Sequence, residues 1–212
     1  MKKIHGAWLA CMLLTLSAAG QDKDYTRQPT IGVHFFLNDY QSAAKIRSSS
    51  LSSVLQSKQF GRLKTMDAGL AVNYLKGFNN NFDLSLTAAG SFVSYDIKNR
   101  PGTAKERFLL EVDASVMGKM VSDRYWISPY VQLGIGAAKY GVYYGAFVPA
   151  GVGIQVNFFD EAYLMINSQY RIPITETAAY HFYHSLGIAG NIGKKNEPTA
   201  KKSVPSLPFA MK

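Results

Sequence analysis

The sequence predicts an all-β fold, an eight-stranded antiparallel up-and-down transmembrane β-barrel, preceded by a cleaved signal peptide. Three observations carry that expectation: a long hairpin of alternating residues between Phe147 and Ile172, the recurrence of its pattern along the chain, and connections that alternate between long and short. In the hairpin, Val148, Ala150, Val152, Ile154, Val156 and Phe158 share one parity, against Pro149, Gly151, Gly153, Gln155 and Asn157. Its second arm sets Leu164, Ile166, Ser168, Tyr170 and Ile172 against Tyr163, Met165, Asn167, Gln169 and Arg171. Successive strand side chains point to opposite faces, so the hairpin has one greasy face and one small, amide-bearing or charged face. Each arm is about ten residues long, enough to cross a bilayer when tilted.

Residues 1–20 read as the signal peptide. Lys2 and Lys3 precede an apolar run from Ile4 to Leu16, and Ser17, Ala18, Ala19 and Gly20 offer small residues for cleavage before Gln21. Cys11, the only cysteine, lies inside that run, so neither lipidation nor a disulfide nor a thiolate metal site is expected in the mature chain. No cofactor is expected either.

The barrel is assigned to residues 21–192. After a polar lead over 21–29, the first strand spans Ile31 to Asn38, with Ile31, Val33, Phe35 and Leu37 outward. Asp39 to Lys64 is a serine-rich basic loop in which Ala44, Leu51, Val54 and Leu55 permit a short amphipathic helix. The second strand sets Ala68, Leu70, Val72 and Tyr74 against Gly69, Ala71 and Asn73, and Gly77 to Asn81 forms a turn. Phe82 to Phe92 is the third strand, Lys98 to Lys105 a second longer loop, and Leu110 to Met120 the fourth strand. Ser122 to Tyr125 is a tight polar turn before a fifth strand from Trp126 to Ala138. Lys139 to Ala146 is a tyrosine-rich connection into the hairpin that supplies strands six and seven. Its own turn is Asp160–Glu161, and Thr175 to Ala179 leads into an eighth strand containing Phe182, Leu186, Ile188 and Ile192.

Long connections belong outside the cell and short ones in the periplasm, which puts both termini in the periplasm. The short-turn end collects a periplasmic aromatic girdle of Tyr74, Phe82, Trp126, Phe158, Phe159 and Tyr163. An open sheet in hydrocarbon would leave edge groups unpaired, so the first and eighth strands pair. Eight strands enclose an interior that side chains about fill. The inward set includes Asp83, Glu111, Asp113, Lys119 and Arg171, expected to pair across the lumen because unpaired buried charge is costly.

The net charge is +9, but Lys194, Lys195, Lys201, Lys202 and Lys212 crowd residues 193–212, which read as a disordered Lys/Pro-rich periplasmic tail. No folded basic face remains for a nucleic-acid partner. The tail lysines could contact cell-wall polymers or envelope proteins.

The segments Tyr125-Trp126-Ile127-Ser128-Pro129-Tyr130, Gly151-Val152-Gly153-Ile154-Gln155-Val156-Asn157-Phe158-Phe159-Asp160 and Ser168-Gln169-Tyr170-Arg171-Ile172-Pro173 resemble the OmpA-like, porin-family outer-membrane barrels over about residues 25 to 192. The resemblance implies the outer membrane of a Gram-negative bacterium. It also implies outer-membrane lipids and lipopolysaccharide as surroundings, and the barrel assembly machinery as a partner during insertion. It carries no cell-wall anchoring over.

A structural and interaction role, in envelope integrity or surface contact, is expected, with a narrow passive pore as the alternative. Two further rivals are a lipid-modifying outer-membrane enzyme and a soluble lipocalin-like barrel. The lipid A deacylase type resembles a His-x-Ser pair on one lipid-facing strand, whereas His184 and Ser185 are adjacent and face opposite ways, and Tyr183 follows His181 at that spacing. No enzyme is therefore expected. The pairs Gly134/Gly136 and Gly151/Gly153 lie in mid-strand without a following helix and read as packing glycines.

Overall fold

The computed structural model describes residues 26–95, 108–158 and 161–192. The signal segment 1–20, the loop 98–105, Phe159 and Asp160, and the tail 193–212 lie outside the described residues. Eight antiparallel strands close into a barrel, each pairing with its neighbour in sequence and β1 with β8. They are β1 (Thr30–Asp39), β2 (Asp67–Gly77), β3 (Phe82–Phe92), β4 (Phe108–Lys119), β5 (Ile127–Tyr140), β6 (Tyr143–Phe158), β7 (Ala162–Pro173) and β8 (His181–Asn191).

The apolar parity faces out and the polar parity in, all the way round. Ile154 is 46% exposed on the outer wall, while Arg171, on the opposite parity of the paired strand, is 0% exposed in the lumen. Among the described residues no helix is long and apolar enough to cross a membrane, and crossing by strands is a separate matter. Closure satisfies both edges: the β1–β8 register runs from Thr30 opposite Asn191 to Asp39 opposite Phe182.

One connection differs from expectation. β5 and β6 continue through the tyrosine-rich stretch and meet at Tyr140 opposite Tyr143, leaving a two-residue turn of Gly141 and Val142. Gly141 sits at φ 57°, a conformation that a residue without Cβ adopts at no steric cost and that a tight hairpin turn requires.

The serine-rich loop folds into two short helices, α1 (Tyr40–Ser48) and α2 (Leu51–Gln56), at the end of the barrel away from the termini, here the loop end. Each has a side-chain N-cap: Ser42 N donates to Asp39 Oδ1 at 2.8 Å, and Ser53 N to Ser50 Oγ at 3.2 Å. The break falls at Ser49, whose N–H still reaches the Lys45 carbonyl at 3.0 Å. Serines favour such caps over helix interiors, which is why this stretch makes two pieces and not one helix. Tyr40 seats α1 on the lumen mouth, its ring 5.3 Å from Tyr95 and 4.6 Å from His181.

Beneath it the interior is layered. Tyr40, Val93, Leu109, Ala138, Tyr140 and Phe147 form an apolar cap at the loop end; Leu75, Met117, Tyr130, Tyr163, Met165 and Ala189 form a second layer toward the termini. The lumen also holds a third apolar cluster, of Phe36, Ala71, Ala89 and Tyr183, and two charged clusters.

Candidate functional site: the charged lumen and the outer wall

All five lumen charges named from the sequence are buried inside the barrel, but they form two clusters. At the loop end, Arg171 on β7 reaches across to β4. Its Nη1 lies 2.5 Å from Glu111 Oε2 and its Nη2 3.2 Å from Asp113 Oδ2. Its guanidinium also covers the rings of Tyr183, at 4.0 Å, and Phe147, at 4.9 Å. A planar fork with five donors suits two carboxylates on alternate inward positions of one strand, since a lysine would offer only a point charge. His181 joins the cluster, with Nε2 3.5 Å from Glu111 Oε1 and Nδ1 2.9 Å from the carbonyl of Ala179.

At the terminal end, Lys119 bridges Asp83 at 3.1 Å and Asp123 at 2.9 Å. The other cation of this cluster is Arg27, from the lead before β1. Its Nε lies 3.3 Å from both Asp83 and Asp123, its Nη2 donates to Gln155 Oε1, and its guanidinium lies 4.4 Å over the ring of Tyr163. Gly77 N donates to the Arg27 carbonyl at 3.1 Å and pins this segment under the barrel. Two cations thus face two carboxylates, as a group excluded from water requires. Burial pushes the Asp123 carboxyl up, but Arg27 and Lys119 outweigh burial and hold it below the ordinary carboxylate value.

Arg27 and Asp123 escaped the sequence reading. The only signal either gave was a polar residue outside a strand, in a lead and in a turn.

Of the aromatic girdle, Phe82, Trp126 and Phe158 stand exposed on the outer wall at the terminal end, and Tyr74 is half-buried there. Phe159 lies outside the described residues. Tyr163 is a correction: it is 3% exposed and points into the lumen beneath Arg27. Its parity decides this, because its register partners Asn157 and Ala189 both face inward.

The outer wall holds a second unread feature. Ser168 on β7 and His184 on β8 are register partners, both on the outward parity, and Ser168 Oγ lies 2.9 Å from His184 Nδ1. Comparing His184 with Ser185 along one strand does not reveal a partner on the next strand.

No family model matches the chain, and no curated protein matches it. Among solved structures, the outer membrane protein OprG from Pseudomonas aeruginosa superposes with a TM-score of 0.50 at 11% identity, over 79% of this chain and 97% of that one. The N-terminal β-barrel domain of Pseudomonas aeruginosa OprF gives 0.49 at 9% identity, over 78% and 98%. Neisserial surface protein A gives 0.46 at 9%, over 77% and 95%. The fold is the OmpA-like eight-stranded barrel.

Proposed function

We propose that this chain is an integral outer-membrane barrel of a Gram-negative bacterium with both termini in the periplasm, acting in envelope integrity or surface contact. The observation that carries this reading is the stacking of two ion-paired clusters and an apolar cap within a lumen only eight strands wide. Such an interior is already filled by its own side chains, which leaves the loop end and the outer wall as working surfaces. The apolar outer wall matches a bilayer, and OprG, whose barrel this fold shares, is an outer membrane protein. Membrane lipids and lipopolysaccharide are then the wall's neighbours, and the capped helices α1 and α2 present the surface for outside contacts.

A narrow passive pore for small solutes is the second reading. It is favoured by Tyr130 Oη and Gln169 Oε1, buried polar atoms without a hydrogen-bond partner.

Planar-bilayer recording separates the two. Silence from folded protein supports the closed barrel, and stable, frequent conductance reverses the order. Migration in detergent gels tests membrane residence: a band shifted by boiling is expected, and a chain soluble without detergent and unshifted by boiling would overturn it.

A further inference from the structure

Between the two aromatic rims, the outward positions of the described strands are aliphatic, aromatic, glycine, alanine or proline, with Asp39, Lys76 and Lys139 at strand ends. Ser168 and His184 depart from this, and they are bonded to each other at 2.9 Å. A hydroxyl and an imidazole on a wall that faces hydrocarbon are costly, and two of them side by side on neighbouring strands call for a reason.

Their depth gives one. Ala162 opens β7 at the terminal rim. At about 3.3 Å per residue and a tilt near 45°, Ser168 stands roughly 14 Å up an apolar band about 25 Å tall. It therefore lies just beyond mid-height toward the loop end, one outward position below Tyr170. That ring stacks on Tyr180 at 5.9 Å and lies tilted against Phe182 at 4.9 Å. Above it the exposed Arg47 of α1 holds its guanidinium 3.6 Å from the Tyr180 ring. Below it Val152, Ile166 and Leu186 offer an exposed aliphatic surface. From the loop end inward the wall thus presents a cation, a hydroxyl–imidazole pair and a hydrocarbon surface. A membrane lipid presents the same order: a phosphate, an acyl ester and acyl chains.

The pair is built as well as placed. His184 packs against two rings that also touch each other, parallel to Phe182 at 5.9 Å and edge-on to Phe60 at 6.4 Å. On the other side, Leu37 of β1 is the register partner of His184, and Asp39 lies one outward position further along β1. Asp39 gives Oδ1 to the α1 cap, and its Oδ2 is buried without a hydrogen-bond partner. Imidazole and hydroxyl from successive strands share one face, as a base and the nucleophile it activates must.

We propose that Ser168 and His184 form an acyl-ester hydrolase site on the outer wall, acting on an anionic ester-linked lipid in the leaflet at the loop end. With the imidazole proton on Nε2, Ser168 Oγ–H donates to Nδ1. Oγ attacks the ester carbonyl carbon while its proton passes to Nδ1. Collapse of the tetrahedral adduct breaks the bond to the lipid alkoxide, which takes that proton and leaves as the alcohol. Water then attacks the acyl-serine, giving its proton to Nδ1. The Ser168–acyl bond breaks, Oγ regains the proton, and a free fatty acid departs. No redox partner is needed.

The inference rests on the membrane placement proposed above, and the experiment reads the two separately. The full chain is folded into phosphatidylcholine vesicles containing either phosphatidylglycerol or lipid A, and fatty acid and deacylated lipid are quantified by mass spectrometry. Equimolar release of both is expected, with a loss of about 100-fold or more in Ser168→Ala and His184→Ala. An alkyl fluorophosphonate should label Ser168 in the wild-type chain and leave His184→Ala unlabelled. Release in the phosphatidylglycerol arm assigns a glycerophospholipid, and release in the lipid A arm alone assigns lipid A. Embedded, heat-modifiable protein that releases nothing above protein-free vesicles overturns the hydrolase and leaves the barrel reading standing. So does a Ser168→Ala chain that keeps the wild-type rate. Protein that never enters the vesicles overturns both.

Discussion

Arg171 and Glu111 meet at 2.5 Å from strands that are not neighbours in the wall, β7 and β4, so their ion pair spans the lumen. Removing the cation strands Glu111 and Asp113 together in a water-poor interior. Arg171→Ala is expected to destabilise the barrel by about 3–5 kcal/mol, the usual cost of breaking a buried pair. Denaturant unfolding in detergent, followed by the fluorescence of Trp126, measures it. Replacing Arg171, Glu111 and Asp113 together with Met, Gln and Asn should recover most of the loss.

The terminal end has a separate latch. Arg27 belongs to no strand, yet it touches groups from Asp83 to Tyr163. Arg27→Ala should leave the wall intact and unseal that mouth. Bilayer recordings are expected to pass from silent to flickering, with the heat-shifted gel band preserved. A silent Arg27→Ala chain would place the seal entirely with the loop-end cluster and the Tyr40 cap.

The same latch sets an acid limit. Asp123 is held below the ordinary carboxylate value, so its charge stabilises the fold fully above about pH 4, the ordinary unfolded range. That contribution is lost as pH falls through the lower folded value. Unfolding midpoints should therefore stay flat in this respect from neutrality to about pH 4 and drop below it. In Asp123→Asn the acid drop should be shallower, on a lower neutral baseline.

The wall itself is closely packed at its glycines. A Cβ added at Gly151 would stand 2.6 Å from the Ser168 carbonyl oxygen and 2.8 Å from Gln169 Cα, both backbone atoms that cannot rotate away. At Gly153 the same Cβ would stand 2.3 Å from the Tyr130 ring and 2.7 Å from the Ile166 carbonyl oxygen. Gly151→Ala and Gly153→Ala are each expected to cost about 1–3 kcal/mol in the same unfolding measurement.

Parity made most of this fold legible. Alternation in the Phe147–Ile172 hairpin was enough to put Ile154 outside and Arg171 inside, because a period of two leaves only one choice of face. What alternation cannot supply is register. Ser168 and His184 are sixteen positions apart in sequence and become neighbours only once β7 and β8 are aligned. Arg27 and Asp123 lie outside the strands, where no period applies. Tyr163 sits beside a turn, where an aromatic rim is expected, but its parity turns it into the lumen. The Tyr140–Tyr144 stretch went astray because its run of aromatics hides the strands that continue through it.

The position of Arg27 also bears on the order of assembly. The polar groups that hold it come from β3, from the turn after β4 and from β6, and its ring partner comes from β7. None of these forms a binding place until that wall has been drawn together, although Arg27 precedes every strand in the chain. The first described part of the chain therefore completes its contacts only where the wall from β3 to β7 has been drawn together.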